Sequence, residues 1–164
     1  MLSRERGIAA FVGEAVGLDG TDKPKPSAAG ERAVIEGALR RAGIAADVID
    51  LVSAHATSTP QGDAAEAAAL RAVFGQDSGP RINAPKGLLG HGLNAAGLVE
   101  TIACVLQMQS GFQHPNIGLT DPVDSLRFVG GDVVNAPLHR VLKTSFGFGG
   151  FNAAAVLQSG SPSG

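Results

Sequence analysis

One stretch of the chain, NAAGLVETIACVLQMQSG at residues 94–111, constrains the fold more strongly than any other. Its spacing predicts a helix, and apolar residues fill positions 95, 96, 98, 99, 102, 103, 105, 106 and 108. These positions lie around most of the helical circumference. Because a helix of this kind is normally covered on more than one side, we expect it to lie within a layered structure.

Strands and helices alternate along the rest of the chain. The apolar pattern predicts strands at 7–17, 48–55, 81–85, 141–150 and 152–159, and helices at 27–44 and 62–75. Gly43 and Gly75 are expected to end the two helices. The proline-containing segments 21–30 and 114–124 are expected to be loops. This alternation indicates the α/β class.

The core is expected to bring backbones close together. The chain has 23 glycines, no Trp and no Tyr, so small and aliphatic side chains must fill the interior. Cys104 lies midway along the helix at 94–111, where a cysteine is usually a small buried hydrophobe. We therefore do not expect it to be a nucleophile.

Composition excludes several classes of function. The 164 residues carry a net charge of -2 without a clustered basic stripe, which argues against nucleic acid as a partner. No apolar run reaches the ~18 residues of a membrane span. The single cysteine excludes an internal disulfide and favours a reducing, cytoplasmic location. The sequence contains no metal-ligand spacing, no Walker lysine motif and no GxSxG elbow, so no metal is expected.

His55 lies at the end of a predicted buried strand, within SAHATSTPQGD. Strand ends at one edge of an α/β sheet are where such folds build sites, which favours a functional role. The alternative is a capping or core histidine. In the same segment, Thr57, Ser58 and Thr59 are candidate turn formers, and Asp63 is a candidate N-cap of the following helix.

Lys86 and His91 lie in a second polar segment, the glycine-rich strip NAPKGLLGHGLNAAG at 83–97. Alone, each residue has an ordinary explanation, a solvated lysine and a turn histidine. Together they are more informative, because a nearby lysine disfavours a second positive charge on the histidine. A glycine turn before a helix also offers backbone N–H groups to an anion or a carbonyl oxygen. The histidines at 114 and 139 lie in proline-containing loops and are interpreted as structural.

A third glycine-rich turn, SFGFGGFN at 145–152, contains Phe146 and Phe148. It is either a hairpin between the last two strands or a set of backbone donors with an aromatic gate at a pocket mouth. Each of the three segments is a weak signal when taken alone.

In chain order, the three segments resemble the C-terminal half of the β-ketoacyl-acyl-carrier-protein synthases, the elongating ketosynthases of the thiolase fold. AHATSTPQGDAAEAAAL resembles the family motif AHGTSTxxGDxxE, PKGLLGHGLNAAGLVE resembles KSxxGHxxGAAGxxE, and SFGFGGFN resembles NSFGFGGTN. The resemblance covers about residues 4–158. It implies a thiolase-like half with a mixed β-sheet and helices on both faces, forming one domain at 1–159 with a disordered tail at 160–164.

The resemblance implies a decarboxylative Claisen condensation. In the family a cysteine carries the acyl chain as a thioester, and two histidines bind the malonyl thioester carbonyl, assist loss of its carboxylate and stabilise the enolate. The implied catalytic residues are His55, His91 and Lys86, supported by Glu100 and Asp63. The implied substrate and phosphopantetheine contacts are Thr57, Thr59, Phe146 and Phe148, with Phe146 matching the gating phenylalanine. No dissociable cofactor is implied, since an acyl carrier protein presents the substrates on its phosphopantetheine arm.

The nucleophilic cysteine of the family belongs to its N-terminal half, and Cys104 falls on the wrong element to replace it. The sequence therefore predicts the C-terminal subunit of a split ketosynthase, in a hetero-oligomer with a chain that supplies the cysteine and a helix against 94–111. Substitutions around Lys86 and at Asn94 favour an alternative, a non-catalytic scaffold or chain-length partner. Decarboxylation of a malonyl thioester by this chain alone is the third interpretation.

Overall fold

A computed structural model describes residues 7–19, 25–76 and 78–160. The strands in these ranges are β1 (Ala9–Leu18), β2 (Leu51–Ser53), β3 (Arg81–Asn83), β4 (Phe112–Gln113), β5 (Val134–Asn135), β6 (Arg140–Gly147) and β7 (Phe151–Ser159). The α-helices are α1 (Ala28–Ala42), α2 (Pro60–Phe74), α3 (Lys86–Leu89) and α4 (Ala96–Ser110), with short 3₁₀ helices at Ala46–Val48 and Leu93–Ala95. In these ranges, no helix is both long enough and apolar enough to cross a bilayer.

The main sheet is mixed, as predicted. Its strand order is β1-β7-β6-β2-β3, in which β1, β7 and β6 are antiparallel and β6, β2 and β3 are parallel. The register aligns Val52 of β2 with Ile82 on one side and Leu142 on the other. The three parallel strands therefore end at the same edge of the sheet, and the segments that follow them meet there.

Helices cover both faces of the sheet. Because neighbouring residues of a strand point to opposite sides, each central strand contributes side chains to both faces. Val52, Leu142 and Val156 pack into one cluster with α1 and α2. Their neighbours Leu51, Val141 and Leu157 pack into a second cluster with Cys104 and Met108 of α4. The strands are thus apolar on both faces, which explains their continuous hydrophobic runs.

Helix α1 approaches β1 closely. A Cβ atom on Gly13 would lie 2.3 Å from the carbonyl oxygen of Ala38, so only glycine fits at this crossing. The helix begins after Ser27, whose hydroxyl accepts a hydrogen bond from the Gly30 N–H. It ends at Gly43, which has a left-handed φ of 67°. The structure confirms both the close backbone packing and the predicted cap.

Helix α4 is covered on one side only by the described residues. Its inner side holds buried Glu100, Cys104 and Gln107. We call the opposite side its outer face, formed by Leu98, Val99, Ile102 and Leu106, whose exposed fractions are 68, 42, 50 and 53 %. The prediction that this helix is covered on more than one side is therefore not met by the chain alone.

Several predicted boundaries are wrong. The strand predicted at 48–55 spans only Leu51–Ser53, because Ala46–Val48 form a 3₁₀ turn before it. Helix α2 begins at Pro60, a favoured first position, so Thr59 is at the N-cap position and Asp63 lies in the first turn. The strip at 83–97 is not wholly irregular, since it contains α3.

At the end of the chain, the strand predicted at 141–150 stops at Gly147, and a turn joins it to β7 as an antiparallel hairpin. The hairpin interpretation of SFGFGGFN is confirmed. The two-residue strands β4 and β5 were not predicted. Of the tail predicted to be disordered at 160–164, Gly160 donates its N–H to the Ile8 carbonyl oxygen at 2.9 Å, and residues 161–164 lie outside the described residues. Residues 21–24 of the predicted first loop also lie outside them.

Candidate active site

The candidate site lies at the edge where β2, β3 and β6 end. His55 follows β2, Lys86 follows β3, and Phe146 lies near the end of β6. His91 enters from the segment between α3 and α4. Parallel strands commonly place functional groups at their carboxyl edge. The structure brings these four sequence-predicted residues together.

Glu66 of α2 fixes the turn that carries His55. Its carboxylate accepts hydrogen bonds from the backbone N–H groups of His55 and Ala56, at 2.9 and 2.8 Å, and from the Thr144 hydroxyl at 2.7 Å. Ala56 has a φ of 35°, which an L-residue adopts only when the surroundings hold it there. In the sequence analysis, Glu66 appears only as the last residue of the AHGTSTxxGDxxE motif and is given no role. Its position one helical turn before the apolar Leu70 was the signal that its carboxylate is buried.

Lys86 links Glu100 to His55. Its ammonium nitrogen lies 2.6 Å from Glu100 Oε1, 2.5 Å from the His55 carbonyl oxygen and 3.4 Å from His55 Nδ1. Burial lowers the pKa of Lys86, and the carboxylate of Glu100 opposes that effect. The predicted pairing of Lys86 with Glu100 and its proximity to His55 are therefore present.

Lys143 of β6 is a second buried lysine that the sequence analysis missed. Its ammonium lies 2.7 Å from Glu100 Oε2 and also donates to the Thr144 carbonyl. Burial alone would raise the pKa of Glu100, but Lys143 and Lys86 outweigh that effect and hold the pKa below its usual range. The signal was available: Lys143 lies two residues after Val141 in a predicted strand, and therefore on the same face.

Both histidines are arranged to donate a hydrogen bond from Nε2. The Leu93 N–H donates to His91 Nδ1 at 3.1 Å, so the proton of a neutral His91 ring lies on Nε2. At His55 the ammonium of Lys86 faces Nδ1, which favours the same tautomer. Burial, together with the charges of Lys86 and Lys143, lowers the pKa of His55 to about 3. The two rings are perpendicular, with centroids 6.0 Å apart.

The remaining predicted residues divide between the site and the surface. The Phe146 ring lies 5.9 Å from the His55 ring. Thr57 and Asp63 line a cavity of about 510 Å³ together with His91, and burial raises the pKa of Asp63. Thr59 is exposed, with its hydroxyl 3.2 Å from that of Thr57. Phe148 is 98 % exposed and does not line this cavity.

Cys104 is fully buried on the inner side of α4. Burial raises the pKa of its thiol, so the neutral form is favoured. A neutral, inaccessible thiol is a poor nucleophile. The prediction that Cys104 is a small buried residue is confirmed.

Two histidines, a lysine and a glutamate therefore lie together at the carboxyl edge of a mixed α/β sheet. Residues 8–120 match the family described as "Beta-ketoacyl synthase, C-terminal domain". The chain belongs to the β-ketoacyl synthase family, and its fold is thiolase-like.

Three similar proteins illustrate the range of the family. The chain is 41 % identical over 138 residues to the chloroplastic 3-oxoacyl-[acyl-carrier-protein] synthase II of Arabidopsis thaliana, covering 82 % of this chain and 26 % of that protein. It is 41 % identical over 152 residues to the polyketide biosynthesis malonyl-ACP decarboxylase PksF of Bacillus subtilis, covering 92 % and 36 %.

Among solved structures, the ishigamide ketosynthase/chain length factor superimposes with a TM-score of 0.86 at 35 % identity, covering 92 % of this chain and 38 % of that one. The chain thus spans between about a quarter and two fifths of the length of these proteins. The family resemblance and the thiolase-like fold predicted from the three motifs are confirmed.

Proposed function

We propose that this chain is the C-terminal subunit of a split β-ketoacyl-acyl-carrier-protein synthase, which condenses an acyl thioester with a malonyl group on a carrier protein in fatty acid or polyketide synthesis. One observation carries the proposal. His55 and His91 hold their Nδ1 atoms toward Lys86 and the Leu93 N–H, respectively, which leaves an Nε2–H donor on each of two rings whose centroids are 6.0 Å apart.

These donors suit the decarboxylation step. The thioester carbonyl oxygen of the malonyl group accepts hydrogen bonds from both Nε2–H groups. When the bond to the carboxylate carbon breaks, carbon dioxide leaves and the electron pair forms an enolate, whose negative charge falls on that oxygen. Donors already aimed at a developing oxyanion are among the largest contributions to catalysis.

Carbon–carbon bond formation needs an acyl thioester. The enolate carbon attacks the acyl carbonyl, and the cysteine thiolate leaves, which gives the β-ketoacyl product. Cys104 is fully buried and its raised pKa keeps it neutral, so we propose that another chain supplies the thiol.

The outer face of α4 supports a partner chain. Four apolar side chains between 42 and 68 % exposed occur together on it. Covering such a face stabilises an assembly by ~25 cal/mol per Å² of apolar surface removed from water. A helix from a cysteine-bearing half is the expected occupant, and the result is a hetero-oligomer.

The test is co-expression with the N-terminal half of a β-ketoacyl synthase that carries the cysteine. We expect a purified complex that elongates acyl-carrier thioesters with malonyl carrier protein. His55→Ala and His91→Ala should abolish elongation, whereas His139→Ala, at an exposed position, should not. Absence of a complex and of elongation would contradict the proposal. Unchanged output with the two site variants in an intact pathway would favour the non-catalytic scaffold or chain-length partner.

A second candidate function is decarboxylation of malonyl carrier protein without condensation. It is favoured by the similarity to the malonyl-ACP decarboxylase of B. subtilis. It is also favoured by the location of His55, His91 and Lys86 together on this chain. Release of carbon dioxide from malonyl carrier protein by the chain alone, lost in His55→Ala, would establish this activity; no release would exclude it.

A further inference from the structure

The buried lysine of β6 has no assigned role, and its surroundings are unusual. Glu100 lies between two ammonium groups, with Oε1 2.6 Å from Lys86 and Oε2 2.7 Å from Lys143. The exposed fractions of the three side chains are 3, 6 and 4 % respectively. One lysine alone would neutralise the carboxylate. The second buried cation therefore needs a reason beyond charge pairing, since burying a charge is costly.

We infer that Lys143 is a positioning residue of the candidate site, which holds Glu100 from the side opposite Lys86 and thereby keeps Lys86 against His55. The catalytic importance of this role rests on the proposed function. The geometric role of Lys143, holding Glu100 and through it Lys86, does not. With both carboxylate oxygens occupied, Glu100 has one orientation. In that orientation Oε1 places the Lys86 ammonium within 2.5 Å of the His55 carbonyl oxygen and 3.4 Å from Nδ1.

The charge balance around His55 gives Lys143 a second effect. The charged and titratable groups that act on this ring or its backbone are Lys86, Lys143, Glu100, His91 and Glu66. Glu66 is engaged by two backbone N–H groups and the Thr144 hydroxyl. Both ammonium groups disfavour a proton on His55 Nδ1, while Glu100 favours it. Removing Lys143 therefore shifts the balance toward the protonated ring, which would repel Lys86.

The experiment follows the imidazole ¹⁵N signals of His55 against pH in the wild-type chain, Lys143→Met and Lys25→Met. Methionine matches the four-carbon stem of lysine without the ammonium group, and Lys25 is an exposed lysine whose replacement is the control. In Lys143→Met we expect the His55 titration midpoint to rise by roughly one pH unit, the size expected for one nearby charge. The control should leave it unchanged. An unchanged midpoint in folded Lys143→Met would overturn the inference.

Lys143→Gln guards against a folding defect, because its amide still donates to Glu100 but carries no charge. The same rise of the midpoint is expected in this variant, and wild-type behaviour would again overturn the inference. In the complex with a cysteine-bearing half, Lys143→Met should lower kcat more than it raises KM, and Lys143→Gln, which keeps a donor to Glu100, should lower kcat less. If the wild-type complex is inactive but the His55 titration midpoint still rises in the Lys143 variants, the proposed function fails and the positioning role of Lys143 stands.

Discussion

Helices α1 and α4 are both 15 residues long, but the sides that they turn away from the sheet differ in chemistry. Helix α1 buries Val34, Ile35 and Leu39 and exposes the ion-paired Arg32 and Glu36. Helix α4 buries Glu100 and Gln107 beside the apolar side chains of its inner side, and exposes the four apolar side chains of its outer face. Helix α1 is therefore built to meet water. Helix α4 delivers Glu100 to the site on one side and, on the other, presents the apolar surface to which the proposed function assigns a partner helix.

Each helix also buries one glutamate, and the two differ in their partners. Glu31 of α1 is 1 % exposed, and burial with the nearby carboxylates of Glu66 and Asp19 raises its pKa to about 8. Glu100 of α4 is 2 % exposed, but its two lysines hold its pKa below the usual range. Burial alone therefore does not determine the ionisation of a carboxyl group. The cations within reach decide whether a buried glutamate is charged.

The largest expected effect is the loss of the charged glutamate of α4. Glu100→Gln leaves Lys86 and Lys143 buried without an anion, and should lower the free energy of unfolding by about 3–5 kcal/mol. The matched change on the other helix, Glu36→Gln, removes surface pairs with Arg32 and Arg40 and should cost no more than about 0.5 kcal/mol. Urea unfolding at pH 7 measures both. Equal losses of unfolding free energy in the two variants would show that the glutamate of α4 is no more important for stability than the surface glutamate of α1.

The second glutamate should behave in the opposite sense. Because the folded-state pKa of Glu31 is raised, the protonated form stabilises the fold at low pH, and this stability is lost as pH rises from about 4.5 to about 8. Glu31→Gln should therefore raise the free energy of unfolding by about 2 kcal/mol at pH 9 and change it little at pH 5. Denaturant titrations at the two pH values test this. A gain that does not depend on pH would contradict it.

The ends of the two helices give a smaller effect. Helix α1 ends at Gly43, with a φ of 67°, whereas α4 is entered through Leu93, a leucine with a φ of 49°. Gly43→Ala should destabilise the chain by ~1 kcal/mol, since left-handed φ is unfavourable for alanine. Leu93→Gly should stabilise it by about 0.5–1 kcal/mol for the converse reason. Thermal unfolding of both variants checks the signs, and destabilisation by Leu93→Gly would mean that its side chain contributes more than its strain costs.

The smallest effect on stability is expected at the outer face of α4. The double variant Leu98→Lys, Ile102→Lys should change the free energy of unfolding of the isolated chain by less than about 0.5 kcal/mol, because both positions already face water. It should also prevent co-purification of the chain with a cysteine-bearing half in the co-expression experiment. Ile35→Lys on α1, at a fully buried position, is the contrasting change and should prevent folding. Strong destabilisation by the α4 variant would show that its outer face is covered within the chain.

Much of the fold could be predicted because the spacing of apolar residues along the sequence follows which side of each helix or strand is buried. The order of the main strands and helices, and the cap at Gly43, follow from local patterns. The short strands were either not predicted or predicted with wrong bounds, because their ends depend on pairing with residues that are distant in sequence. The strand predicted at 48–55 shrank to β2, whose length is set by pairing with β3 and β6.

The candidate site was predicted unevenly. His55, His91, Lys86 and Glu100 were identified because they occupy recurring motifs in chain order. Lys143 was missed because its importance arises from the carboxylate of Glu100, which lies 43 residues away in sequence on the helix that packs against this face of the sheet. Long-range pairing of charges leaves no local periodicity. A lysine on the buried face of a predicted strand is the one sign that could have drawn attention to it.

The two-sided character of α4 also fixes how its length can vary. Each residue of an α-helix turns the next by about 100°. Deleting one residue between Ala96 and Glu100 would rotate Glu100 away from both lysines, and would change which apolar side chains point outward. A loop can absorb an insertion by bulging, but this helix has no such freedom. The rotation of the helix therefore ties the position of Glu100 in the candidate site to the direction of the outer face, and deletion scanning of the described residues should find α4 the least tolerant segment.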